Sequence, residues 1–322
     1  MPGILNYELS DYQDSARIYR SDLLRLPILA LSTILAFMTL RPGVRHEEVV
    51  GAVDMDVELQ PYVRDAEQDK DLELKFRVLK TFFGTVNNPF EPNKAISTLL
   101  GHRASQASGD ALATTPQALE VLAMTPKAIG RKLLSALWKA KRNPAGKTTL
   151  DLFDGFDTIT DQEIAAGNIS AANHNYVMLP AKPDKINAVE VLNELLDAMS
   201  PELREETCYV FCPQSLVDAY NRAYKLETGA APYNNEYNQT CVEGSERRLI
   251  FVPTVGKAGS KYIHVSPASN MLVGCDQLSD SESVRVGNYS PDTFTVMMRM
   301  FFGVQFESID SRRLLVAEIP NA

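Results

Sequence analysis

The sequence predicts an α+β fold in which an extended N-terminal region precedes a compact α/β domain. Three observations predict it. Residues 44 to 83 hold two segments of alternating apolar residues joined by a charged link, which is the pattern of a β-hairpin. Residues 126 to 142 repeat apolar residues with the helical period, which indicates an amphipathic helix. From residue 151 onward helical and strand-like patterns alternate, and residues 290 to 322 are strand-like.

Length and composition are those of an ordinary folded protein. The chain has 322 residues, of which 45% are hydrophobic and 23% charged, and its formal net charge is −9. This balance excludes a disordered or fibrous chain, and the negative charge gives no whole-chain attraction for nucleic acid. Four sparse cysteines and the lack of a leading signal sequence predict reduced thiols in a cytoplasm. The most apolar window, residues 26 to 40, is shorter than the ~20 residues of a membrane span, so no membrane contact is expected.

Residues 1 to 43 are predicted to be an N-terminal arm without a core of its own. The first 25 residues are polar and have no long apolar face, whereas Leu23 to Leu40 is largely apolar. Segments of this kind need a surface on which to pack. We therefore expect other subunits to cover the arm.

Residues 44 to 83 are predicted to be an extended hairpin that makes assembly contacts. Its middle, residues 63 to 71, is strongly charged, and apolar residues alternate along both strands. A long hairpin exposes its edges unless it lies against another subunit. The residues expected to make the assembly contacts are Val53, Met55, Val57, Leu59, Leu72, Leu74 and Phe76.

The region from 84 to 150 is predicted to be loop-rich at first and helical afterwards. Residues 84 to 113 have turn and linker composition, and two Thr-Pro pairs, at 115–116 and 125–126, predict two helix starts. The second helix is predicted to run over residues 126 to 142 and to end at Asn143-Pro144. We interpret its basic residues as a solvated face and leave open a weak, sequence-independent contact with DNA. These residues are Arg131, Lys132, Lys139, Lys141 and Arg142.

An α/β domain is predicted from residue 151 to residue 289. Its helices are expected over residues 185–199 and 213–229, and its strands over residues 207–213, 248–253, 261–265 and 270–275. Residues 283 to 320 are expected to form three or four strands, and those within residues 290 to 322 are the closing strands. No internal repeat is visible.

The stretch DLFDGFDTITDQE, residues 151 to 163, surrounds one glycine with acidic residues. A calcium loop needs oxygen ligands at its first and third positions and glycine at its sixth. With Gly155 at the sixth position, Leu150 and Leu152 occupy the first and third, so a calcium site is excluded. We interpret the stretch as a junction between two domains, whose aspartates cap or stay solvated. The residues predicted to form the junction are Leu152, Phe153, Gly155, Phe156 and Ile159.

No catalytic residue, metal site or cofactor is predicted. Gly146, Lys147 and Thr148 resemble the end of a phosphate-binding loop, but the position of the first glycine is occupied by Lys141, and the loop follows a helix rather than a strand. Cysteines and histidines lack metal-ligand spacing. A P-loop hydrolase, or a metal-dependent hydrolase that uses the aspartates, stays open as an alternative of another class.

The order of elements resembles the major capsid protein of tailed bacteriophages and related prophages, with the Hong Kong 97-type capsid fold. Residues 133 to 170 look like the passage from the spine helix of the peripheral domain into the axial domain. Residues 185 to 224 look like the helix, strand and helix of the axial domain. Residues 297 to 318, with their aromatic-Gly-Val stretch, look like the closing strands.

The resemblance implies a structural protein rather than an enzyme. Hexamers and pentamers of such a protein form an icosahedral shell around double-stranded DNA, with a separate scaffold protein and a portal. The shell is assembled in the cytoplasm of a bacterial host and is found in the virion. An encapsulin-like nanocompartment shares the fold and is the nearest alternative. The implied division is 1–43 arm, 44–83 extended hairpin (E-loop), 84–150 peripheral domain with spine helix 126–142, 151–289 axial domain, and 290–322 closing strands of the peripheral domain.

Overall fold

The fold contains two five-stranded sheets and a two-stranded ribbon, with helices packed against them, within the described residues. The computed structural model describes residues 9–54, 73–91, 117–229, 241–242, 245, 248–276, 284–290 and 293–320. The helices are α1 (Leu9–Ile18), α2 (Arg20–Ala30), α3 (Ser32–Leu35), α4 (Gln117–Lys139), α5 (Phe156–Ala165), α6 (Ala188–Asp197), α7 (Pro201–Glu205) and α8 (Gln214–Thr228). The strands are β1 (Thr39–Pro42), β2 (Glu47–Asp54), β3 (Glu73–Lys80), β4 (Phe82–Phe90), β5 (Tyr176–Met178), β6 (Cys208–Cys212), β7 (Leu249–Pro253), β8 (Tyr262–Ser266), β9 (Met271–Cys275), β10 (Val284–Ser290), β11 (Thr293–Phe306) and β12 (Leu315–Glu318).

The first sheet is organised around β11, a strand of 14 residues. Its strand order is β1-β9-β11-β10, and β4 also pairs with β11. β1 runs parallel to β9, and the other pairs are antiparallel. The prediction that residues 84 to 113 begin as a loop is therefore wrong up to Phe90. The reason is that Asn87, Asn88 and Pro89 have low strand propensity, and β4 forms through its pairing with β11.

The second sheet has the order β5-β12-β8-β6-β7 and carries α6 and α8. The helices and strands predicted for the α/β domain are confirmed in type and order. Each of the two sheets contains strands from both of the last two predicted ranges, and the division into domains remains a prediction. β9, within 151–289, joins β1 and β11, and β12, within 290–322, joins β5 and β8. A strand pattern indicates that a strand forms but does not identify its partner.

The predicted arm packs on the chain itself. Tyr12 and Leu23 are buried in one cluster with Leu122 of α4, and Leu31 and Ile34 lie in the largest core. The expectation that other subunits cover the arm is therefore wrong for these residues, because the rest of the same chain buries them. The close approach of α2 to α4 explains the packing, because a Cβ on Gly130 would lie 2.5 Å from that of Ala30. No helix among the described residues is long and apolar enough to cross a membrane.

The long helix α4 differs from its predicted bounds. It spans Gln117–Lys139 and passes through Pro126, so the prediction of a new helix at Pro126 and an end at 142 is wrong. Proline removes one helical N–H and costs about 3 kcal/mol in a helix interior, a cost that packing on both sides can offset. Val121 and Leu122 are buried before the proline, and Asn88 Nδ2 donates to Thr125 Oγ1 (3.1 Å). After the helix, Lys141 N–H donates to the carbonyl of Leu150 at 2.8 Å.

Candidate assembly surface and buried polar cluster

The two-stranded ribbon of β2 and β3 has one face open to solvent. Val49 pairs with Val78 and Gly51 pairs with Phe76 in an antiparallel register. Because alternate residues of a strand point to the same side, these four residues share a face. Val49 is 66% exposed and Phe76 is 64% exposed. We call the set Val49, Gly51, Phe76 and Val78 the apolar ribbon face.

The opposite face of the ribbon attaches it to the rest of the chain. Val50 and Leu79 are buried against Val44 and Leu272. Arg77 donates to Glu163 Oε1 at 2.5 Å, and both side chains are largely buried. The ribbon is therefore docked through one face, and its apolar face stays uncovered within the described part of the chain.

The structure places only some of the predicted assembly residues. Phe76 is exposed on the apolar ribbon face, and Val53 pairs with Leu74 further along the ribbon. Met55, Val57, Leu59 and Leu72 lie outside the described residues. Sequence reasoning missed Val49, because Gly51 interrupts the apolar alternation that would have identified it. The assembly role of all these residues remains a prediction.

A polar cleft of about 610 Å³ adjoins the ribbon. It is lined by Lys75, Phe76 and Arg77 and by residues of the segments 168–175 and 307–311. Its polar groups bond within the chain: the Asn175 amide donates to the carbonyl of Ile309 (2.7 Å), and Arg77 is held by Glu163. The cleft thus has structural hydrogen bonds rather than convergent catalytic groups.

The aspartates of residues 151 to 163 face different partners and do not converge. Asp151 accepts from the Thr148 hydroxyl and N–H, which lowers the pKa of its carboxyl. Asp154 accepts from the N–H of Arg142 (2.8 Å). These two confirm the prediction of capping or solvated aspartates. The prediction is wrong for Asp157, which is largely buried and pairs with Lys257 at 3.2 Å, because this partner lies 100 residues away in the sequence. Asp161 pairs with Lys261 at 3.1 Å but is about half exposed, so it stays solvated as predicted.

The chemistry of an enzyme finds little support in the described residues. They contain no group of three or more His, Cys, Asp or Glu that could hold a metal ion. Gly146 to Thr148 lies in a loop after α4 and leads into a three-residue turn, Thr149–Asp151. A phosphate-binding loop instead joins a strand to the N-terminus of a full helix. The loop geometry therefore disfavours the P-loop alternative.

The apolar residues of the predicted junction lie where α4, α5 and β11 meet. Phe156 is fully buried, with ring centroids 5.4 Å from Trp138 and 5.0 Å from Phe306. A Cβ on Gly155 would lie 2.5 Å from the Trp138 carbonyl oxygen, so only glycine permits this approach. The remaining members are Phe153 and Ile159, which are buried, and Leu152, which is half-buried. That they join two domains remains a prediction.

Phe156→Ala should lower the free energy of unfolding by about 3–5 kcal/mol, because it removes a buried ring and leaves a cavity between Trp138 and Phe306. Urea denaturation measures the change. Phe83→Ala, at an aromatic residue that is 53% exposed, is the matched control and should cost about 1 kcal/mol or less. Millimolar calcium should not raise the melting temperature of the parent protein, and an increase would contradict the reading of the aspartates.

A buried polar cluster lies beside this junction and consists of Lys257, Asp157, His264 and Thr160. Lys257 is fully buried, and its ammonium donates to His264 Nδ1 (2.8 Å), Asp157 Oδ1 (3.2 Å) and the carbonyl of Tyr262 (2.5 Å). All three ammonium protons thus have acceptors. Because His264 Nδ1 accepts, its Nε2 carries the proton and donates to Thr160 Oγ1 (2.9 Å).

Burial sets the charge states of this cluster. Burial lowers the pKa of Lys257, and the facing carboxylate of Asp157 opposes that shift. Burial, together with the charge of Lys257, holds the pKa of His264 well below its usual value, so His264 is neutral. The cluster connects α5, the turn Val255–Lys257 and β8. Sequence reasoning missed it, since its members are far apart in the chain and match no motif.

The arrangement of a docked ribbon, a long helix and two sheets is that of the Hong Kong 97-type capsid fold, and solved structures agree. A chain of the satellite phage P4 procapsid, a structure that includes the size determination (Sid) protein, matches with a TM-score of 0.59 and 10% identity, over 93% of this chain and 90% of that chain. The capsid of a native GTA particle matches with a TM-score of 0.52 and 11% identity, over 89% of this chain and 90% of that chain. The capsid of Myoviridae phage XM1 matches with a TM-score of 0.52 and 9% identity, over 90% of this chain and 92% of that chain.

The chain therefore has the capsid fold that the sequence resemblance implied. At the level of sequence, neither a family model nor a curated protein matches it. At 9–11% identity these likenesses establish the fold, and the surfaces described above must carry any argument about what the chain does.

Proposed function

We propose that this protein is the major capsid protein of a tailed phage or prophage and that its role is structural. The observation that carries the proposal is the apolar ribbon face on a chain with the capsid fold. Val49 and Phe76 lie on a two-stranded ribbon that is docked by its other face. A two-stranded ribbon with an open apolar face is suited to a position against another subunit.

The partner that best fits the ribbon is a second copy of this chain. Closed symmetric assembly lets one exposed surface be covered repeatedly by the same complementary surface on neighbouring copies. We infer hexamers and pentamers that close into an icosahedral shell around double-stranded DNA, with a separate scaffold protein and a portal, assembled in the cytoplasm of a bacterial host. The similar structures are a procapsid and two capsids, which supports the shell itself.

Electron microscopy of the purified full-length protein, with a co-expressed scaffold if one is encoded nearby, tests the proposal. We expect closed shells built from rings of subunits. Analysis of what the shells enclose then separates a genome container from an encapsulin-like nanocompartment, because the first holds DNA and the second holds an enzyme. Persistent monomers under every assembly condition would contradict the proposal.

A further inference from the structure

The solvent-facing side of α4 carries a stripe of positive charge. Lys127, Arg131, Lys132 and Lys139 are all exposed. Lys127 and Arg131 are four positions apart, Lys132 and Lys139 are seven apart, and Arg131 and Lys139 are eight apart. At 3.6 residues per turn, the four side chains therefore lie within an arc of about 140° on one side of the helix. We call them the basic stripe.

The stripe belongs to a region from which acidic residues are absent. Residues 121 to 150 contain seven lysines and arginines and no aspartate or glutamate. The whole chain, in contrast, has 41 acidic and 32 basic residues. Positive charge is therefore concentrated here in an otherwise acidic protein.

Within the part of the chain that the structure describes, no acidic side chain neutralises the charges of the stripe. Among the described residues, no carboxylate forms an ion pair with Lys127, Arg131 or Lys132. Lys139 donates to the carbonyl oxygen of Ala258, which leaves its charge uncompensated. Like charges at a spacing of four, as at Lys127 and Arg131, repel each other slightly. An ordinary solvated helix face would mix both signs.

Helix-end electrostatics explains only one member of the stripe. Cations are favoured in the last turn of a helix by its dipole, and the effect falls off within that turn. Lys139 is in the last turn of α4, but the helix extends back to Gln117, so Lys127, Arg131 and Lys132 lie in its middle. The helix dipole therefore does not account for the positive charges at these three positions.

We propose that the basic stripe is a surface that contacts the phosphate backbone of double-stranded DNA without reading its sequence. From Lys127 to Lys139 the helix rises about 18 Å. Duplex DNA presents about one phosphate per 1.7 Å of its axis, so about ten phosphates lie within that length. The inference deepens the proposed function, because it assigns this side of α4 to the inner wall of the shell.

The net charge of −9 keeps each contact weak. Repulsion from distant acidic residues is screened beyond about 8–10 Å at physiological salt, whereas phosphates close to the stripe interact with it directly. Many copies in one shell would add such weak contacts together. A genome can thereby be held against the wall and still be released.

Fluorescence anisotropy of a labelled 30-base-pair duplex with unassembled full-length protein tests the stripe, over a series of salt concentrations. The triple variant Lys127→Gln, Arg131→Gln and Lys132→Gln should bind about tenfold more weakly or worse at low salt. The slope of log K against log salt should become shallower by about 3, close to 0.9 for each lost phosphate contact.

The matched control removes two lysines and one arginine elsewhere: Lys182→Gln, Arg222→Gln and Lys225→Gln, all exposed. It should keep the parent affinity and slope. Equal losses of duplex affinity in both triple variants would contradict the DNA-binding role of the basic stripe. A parent protein that binds polyglutamate but not the duplex would contradict it as well. Both variants should keep the parent melting temperature and form shells by electron microscopy. If the parent protein forms shells but does not bind the duplex, only the DNA-binding role of the basic stripe is contradicted. If it binds the duplex but forms no shells, only the proposed function is contradicted.

Discussion

Replacing Val49 and Phe76 together with aspartate should abolish shell assembly and leave the subunit folded. Both side chains are about two-thirds exposed in the single chain, at 66% and 64%, so the substitution removes little packing. Surface changes of this kind alter the free energy of unfolding by about 0.5 kcal/mol or less. In an assembled interface, however, two unpaired carboxylates would lose their hydration, at a cost of several kcal/mol for each ion.

Electron microscopy and sedimentation velocity measure the assembly, and thermal unfolding measures the subunit. The double variant Val49→Ile and Phe76→Leu is the matched control, because it changes the same positions and keeps them apolar. It should still form shells. Normal shells from the aspartate variant would show that the apolar ribbon face is not an interface, even if the protein is a capsid subunit.

The elements predicted most accurately are those whose signals are local. α8 ends at Thr228 and is followed by Gly229, which has a φ of 74° in the left-handed region that glycine adopts without strain. The start of α8 follows Pro213. β6, β7, β8 and β9 are short apolar runs bounded by turn residues, and all four form. In each case a few neighbouring residues determine the boundary, so a pattern in the sequence is sufficient.

The elements that were predicted wrongly share a different cause. β4 forms because β11 pairs with it, and α4 continues through Pro126 because packing on both sides offsets the lost hydrogen bond. The arm is buried by α4 and the strand β10, which lie far along the chain. The intrinsic helix or strand propensity of a segment does not predict which distant segment it will pack against.

The same difference between local and distant signals applies to the candidate sites. The alternation of apolar residues along the hairpin predicted Phe76 as an assembly residue, and Phe76 is exposed on the open face of the ribbon. Val49 lies on the same face but was missed, because Gly51 interrupts the apolar alternation there. The packing of the junction phenylalanines was predicted from the position of their stretch between the long helix and the α/β domain. The buried cluster was not, because Asp157 and Lys257 are paired across 100 residues of sequence.

Asp157→Ala should destabilise the protein by about 3–5 kcal/mol, which is the usual loss when one partner of a buried ion pair is removed. Lys257 is fully buried, and without Asp157 its ammonium would keep only two neutral acceptors, His264 Nδ1 and the Tyr262 carbonyl. Its own pKa, already lowered by burial, would fall further. Urea denaturation of the parent and the variant measures the loss.

An exposed pair one turn further along α5 provides the matched control. Asp161 pairs with Lys261 at 3.1 Å, with about half of each side chain exposed, at 54% and 45%, and it also accepts from the Tyr262 hydroxyl. Asp161→Ala should cost only about 1 kcal/mol, because water screens the pair and can replace the lost acceptor. Equal losses at the two aspartates would contradict the distinction between a buried and a solvated pair.

The double variant Asp157→Ala and Lys257→Met decides whether the loss comes from the unpaired charge. Methionine keeps an unbranched apolar chain against Trp138, where the Lys257 ammonium lies 4.4 Å from the ring centroid, and it needs no counterion. The double variant should therefore be more stable than Asp157→Ala alone, with a coupling free energy of about 1–3 kcal/mol in a double-mutant cycle. If the two losses simply add, Asp157 contributes through its packing, and the cluster is not an electrostatic unit. If they couple as expected, the join between α5 and β8 depends on keeping this one ammonium paired.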